Sequence, residues 1–144
     1  MTFRPYRTLY LGCPASFDND DAVDWLASLS RSTDLRPIQT ALEAVTRLEP
    51  ASYLEAPEAS AAVAAAEVVA AFSGHPAANL PSDVAAWIEA HRQSGVTDDL
   101  RALARRAAAR VEANSEFRDL WDESDDGGAN WRRQLGDLQM RLAS

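Results

Sequence analysis

From residue 17 onward the apolar positions of this chain recur at three- and four-residue intervals, the spacing of one face of an α-helix. Ala22, Trp25, Leu26 and Leu29 form the first such stripe. It predicts a helix over about 19–30, with Asp18 as N-cap and acids in its first turn, where they complement the positive end of the helix dipole. Ile38, Ala41, Leu42, Val45 and Leu48 form a second stripe, opened by Pro37 and stopped by Pro50, positions that suit a residue without a backbone N–H.

A third helix is predicted over about 57–72, with Pro57 in its first turn and Gly74 and Pro76 closing it. It is apolar nearly all round, which predicts a central helix touched from several sides. Its small Ala side chains let neighbours approach closely. Glu55 and Glu58 flank Pro57 and read as capping residues.

The remaining segments are amphipathic. Pro81 and Ser82 begin a fourth helix, with Val84, Trp87 and Ile88 inward, ending before Gly95. Thr97 caps a fifth, in which Leu100, Leu103, Ala104, Ala107 and Val111 are inward and Arg101, Arg105, Arg106 and Arg110 lie mainly off the stripe. Ser115 caps a short sixth helix carrying Phe117, Leu120 and Trp121. A polar loop over 124–130 leads to a last helix with Trp131, Leu135, Leu138 and Leu142 inward. The fold class expected is therefore all-α: one compact bundle of about six or seven helices around the Ala-rich helix. Residues 1–16 form a short extended N-terminal arm, and 17–144 the helical domain.

Composition narrows the function. With 144 residues the chain is long enough to bury one core without staples. Its net charge of −8 argues against nucleic acid, which calls for a basic footprint, and fits a basic protein partner. All 14 basic residues are Arg, whose planar fork holds carboxylates in pairs. The single Cys13 excludes an internal disulfide framework and a cysteine-rich zinc site. The apolar run ending at Cys13 is shorter than the about 7–15 residues of an export signal core, and no stretch approaches the about 20 apolar residues that span a bilayer. The expected location is cytoplasmic.

Residues 17–26, Phe17-Asp-Asn-Asp-Asp-Ala-Val-Asp-Trp-Leu26, crowd four aspartates into one helix start. Together with Tyr53-Leu-Glu-Ala-Pro-Glu58 leading into Ala66-Glu-Val-Val-Ala70, and with Asn114-Ser-Glu-Phe-Arg-Asp-Leu-Trp-Asp-Glu123, this stretch resembles the signature of a bacterial family called domain of unknown function 4259. The similarity runs over roughly 17–142, with order and spacing preserved. The arm departs from the family, whose members open with a short Gly- and Trp-containing stretch directly before the Phe-Asp/Glu-Asn-Asp-Asp segment. The resemblance implies a bacterial single-domain protein and supplies no activity.

The acidic cluster has three readings. Asp18, Asp20, Asp21 and Asp24 cap and complement a helix; or, with Trp131 after the polar loop, they meet a partner; or, with Glu67, they hold Mg²⁺ or Ca²⁺ through hard oxygen ligands. The calcium-loop pattern fails, because residue 22 is Ala, residue 23 is Val where the loop needs Gly, and residue 29 is Leu where it ends in Glu. Glu67 interrupts the most apolar helix, where an unpaired carboxylate is expensive; an ion pair to an Arg is the favoured explanation. No Glu stands three residues before His75 or His91, so a di-iron helix motif is absent, and no phosphate loop or nucleophile elbow is present. The favoured function is a non-enzymatic, immunity-like or accessory protein-interaction domain with an acidic face and no cofactor. The alternative is a divalent-metal-dependent enzyme of small substrates.

Overall fold

The computed structural model describes residues 20–49, 51–78, 80–92, 95–115, 119, 123 and 128–143, and of Asp20 the backbone alone. Within them lie six helices: α1 (Asp20–Ser30), α2 (Arg36–Thr46), α3 (Ala56–Phe72), α4 (Ser82–Ala90), α5 (Asp98–Ala113) and α6 (Ala129–Ala143). No strand occurs among the described residues, and the expected all-α bundle is what the chain forms.

The centre is α3. Every residue of it except Pro57, Glu58 and Ala61 is buried, and it packs against each of the other five helices. Alanines make this possible, because their side chains stop at Cβ and leave room for neighbouring backbones. The larger groups come from outside: Leu29, Ile38, Leu42, Val111, Leu138 and Leu142 are among the most deeply buried side chains. Gly74 ends α3 at φ +90°, and the amide of His75 donates back to Ala70 O at 2.9 Å. That backbone region penalises a Cβ and so favours glycine.

Two further devices fix the frame. The hydroxyl of Thr97 accepts from the amide of Leu100 at 3.1 Å, the expected cap on α5, with Asp98 and Asp99 following in its first turn. At the other end of α5, Arg110 Nη2 donates to the carbonyls of Glu49 (3.1 Å) and Ser52 (2.6 Å) in the α2–α3 connection. The start of α5 meets the start of α2 around Leu35, Gln39, Thr97 and Leu100. Helices α2 and α5 therefore run parallel, with α3 packed against both.

Some expectations need correction. Glu55 occupies the N-cap position of α3, but its side chain makes no capping bond; the extended backbone of Glu55 and the proline after it set the helix start. Helix α2 ends at Thr46, well ahead of Pro50, which lies outside the described residues. The Ser115 hydroxyl donates to Val111 O at 2.7 Å, while the Ser115 carbonyl accepts from the amide of Asp119 at 3.1 Å, beyond the end of α5 at Ala113. The expected short helix around Phe117, Leu120 and Trp121, the arm over 1–16, and Asp18 all fall outside the described residues. Among the described residues no helix is long and apolar enough to cross a membrane.

Candidate functional site

The C-terminal half of α1, the turn after it, α2 and the start of α3 leave a groove of about 620 Å³ between them. Packing explains it. Trp25 is only half-buried because the residues opposite it are small: Ala41 and Ala44 on α2, and Ala61 on α3. Pro37 extends the apolar wall, and Arg31, Arg36, Asp34 and Glu58 supply charge. The turn below is held by Asp34 Oδ1, which accepts from the amide of Arg36 at 2.9 Å, and by the indole of Trp87, which donates to Ser32 O at 3.2 Å. Grooves of about 300–1,000 Å³ with apolar walls and a few polar groups are the usual form of a recognition site.

The acidic helix borders this groove. Asp20 begins α1; Asp21 is half-buried and Asp24 exposed on the same helix. Asp21 stands four residues before Trp25, so the two share a face. Among the described residues no group of three His, Cys, Asp or Glu side chains is gathered in the manner of a metal site. Glu67 belongs to different surroundings. The pocket that it lines draws on α3, Ala77, Ala78 and α6, with nothing from α1.

In that second hollow, of about 360 Å³, Arg141 Nη1 donates to Glu67 Oε1 at 2.7 Å and to His75 O at 3.3 Å. Its Nε donates to Asp137 Oδ2 at 2.7 Å. The Glu67 carboxylate is 3% exposed and the Arg141 side chain 16%. Burial alone would depress the pKa of Arg141, but the hydrogen bond and charge of Glu67, with those of Asp137, outweigh it and raise the value. The pair expected for Glu67 is thus present, and its partner comes from the last helix.

Trp131 is 2% exposed. The structure corrects its role as a surface anchor: it starts α6 as a core residue. His91 caps α4, its Nδ1 2.8 Å from Trp87 O and its ring stacked on Trp87 at 4.1 Å. Arg31, Arg36, Thr40, Ala44 and Ala61 were not among the expected site residues. Their signal in the sequence was weak: Thr and Ala on the open side of α2 look like ordinary surface until Trp25 is placed across from them.

Against proteins of known sequence, the family model described as Domain of unknown function (DUF4259) matches residues 14–134. No curated protein and no solved structure matches the chain.

Proposed function

The chain belongs to the DUF4259 family, a domain of unknown function, and we propose that it is a non-enzymatic protein-interaction domain that takes a segment of a basic partner in the groove between α1, α2 and α3. The observation that carries this reading is the groove itself, about 620 Å³ with Trp25 facing Ala41, Ala44 and Ala61. An amphipathic helix or loop lays its apolar residues against such a wall, and a half-buried Trp is a common anchor at interfaces. The chain's net charge of −8, the exposed Asp24 on α1 and Glu58 on the groove wall favour a basic segment, steered by long-range attraction. Arg31 and Arg36 give an acidic residue of that segment a place at the other rim.

The test is capture of a partner from the cell that makes the protein, using the full chain and the variant Ala44→Arg. Ala44 is exposed, so the new side chain fills the groove without entering the core. The expected result is a basic partner retained by the native chain, lost with A44R, and weakened by Asp24→Arg and by salt. Equal retention by A44R and the native chain sinks the reading. Saturable binding of Mg²⁺ or Ca²⁺ that Asp24→Asn abolishes would replace it with the divalent-metal enzyme.

A further inference from the structure

The groove between α1, α2 and α3 has a direction, because its two ends differ in charge. The basic end is the turn after α1, where Arg31 and Arg36 reach the groove. That turn lies near the close of α3: Ser32 O accepts from the Trp87 indole at 3.2 Å, and Trp87 meets the ring of Phe72 edge-on, with centroids 6.0 Å apart. Glu58 stands in the first turn of α3, about 21 Å of helix from Phe72, and so marks the opposite, acidic end. Helix α1 has the same polarity, with Asp24 exposed before Trp25 and Arg31 just past its last residue. Between the ends the wall is apolar.

The fold itself does not use these end charges. Among the described residues Arg31, Arg36 and Glu58 make no ion pair, whereas Arg47, Arg92, Arg101 and Arg141 each hold a carboxylate. An α-helix presents free N–H groups at its start and free carbonyls at its end, with opposite partial charges. A strand has almost no such dipole.

We infer that the occupant of the groove is an amphipathic α-helix of a partner protein, lying with its first turn against Glu58 and its last turn at Arg31 and Arg36, in the same sense as α3. The inference rests on the groove being the interaction site. From Arg36 to Ala44 the α2 wall is about 12 Å long, enough for two to three turns of the occupant. Lys or Arg in its first turn meets Glu58 and Asp24. A carboxylate in its last turn, or its free carbonyls, accept from the guanidinium forks of the two arginines. This charge order is the reverse of what an isolated helix favours, so the groove selects a helix that gains from being bound.

Two synthetic peptides test the direction. Both carry the same stripe of Leu and Ala; one has two Lys in its first turn and two Glu in its last, the other the reverse. A hydrocarbon staple gives the two equal helicity and lowers the ordering cost. Anisotropy of the labelled peptides with the full chain should show the Lys-first peptide binding at least about tenfold tighter at low salt, with the difference shrinking as salt rises. The triple variant Arg31→Glu/Arg36→Glu/Glu58→Arg changes exposed positions only, and its fold is checked by circular dichroism. In it the preference should invert. Equal binding of the two peptides, a Glu-first preference, no binding of either up to about 1 mM, or an unchanged preference in the triple variant overturns the inference. Capture of the cellular partner by the native chain and its loss with A44R would still uphold the groove in each of those cases.

Discussion

Arg141 Nη1 stands 2.7 Å from Glu67 Oε1 across 74 residues of sequence, and so ties the last helix to the central one. Removing the arginine alone takes this cation away from a carboxylate that is 3% exposed. Arg141→Met should cost about 3–5 kcal/mol of stability, whereas the double variant Arg141→Met/Glu67→Met should recover most of the loss, because an apolar pair replaces a buried charge that has lost its counter-ion. Urea denaturation of the three proteins reads both effects. The sign of the pH dependence follows from the pKa of Arg141, which the hydrogen bonds and charges of Glu67 and Asp137 raise above the ordinary arginine value in spite of burial. The arginine's share of stability is fully present below its unfolded value and is lost only as pH climbs through the folded one, so alkaline titration to about pH 10 should leave it intact.

Thr97 accepts from the amide of Leu100 at 3.1 Å at the start of α5. Thr97→Ala should destabilise the protein by about 1 kcal/mol, and Thr97→Asp should restore it, since either oxygen can accept from the same amide. Thermal denaturation is sufficient to separate the three.

A cap of this kind is legible because it is local. Thr97 before Asp98 and Asp99, Gly74 after Phe72, and the Ala-rich run of α3 each announce their role within a few residues. The pairing of Glu67 with an arginine was also foreseeable, since a carboxylate in that helix needs a partner. Which arginine it would be was not foreseeable, because that depends on how α6 lies against α3. The groove was hidden for the same reason. Trp25 satisfies a helical stripe, as Ile38 or Leu42 does, and only the small residues facing it from α2 and α3 leave it half-covered. Trp131 shows the converse: a Trp after a polar loop looked available, yet its position in the α6 stripe carries it into the core.

Ala65 is fully buried within α3. Ala65→Leu forces extra carbon atoms into a helix with neighbours on all sides, and should cost about 1–3 kcal/mol. Ala61→Leu, at a half-buried position lining the groove, should cost far less. Circular dichroism melts of the pair give the comparison; equal losses would contradict the central placement of α3.

Gly74 has φ +90°, and a Cβ built there meets nothing within 4 Å. Gly74→Ala should therefore lose about 1 kcal/mol from backbone conformation alone, with no shift of neighbouring side chains. Chemical shifts around Phe72 and His75 that stay close to native values, alongside a lowered melting temperature, are the expected outcome.

The central position of α3 also governs how the molecule can come apart. Each of the other five helices packs on it, so peeling any one of them away uncovers only part of its surface, and freeing its own backbone requires the whole assembly to release. The amides of Ala62 to Ala70 should thus be the slowest in the chain to exchange with deuterium, opening only with complete unfolding, while those of α1 and α4 exchange through partial openings at lower free energy.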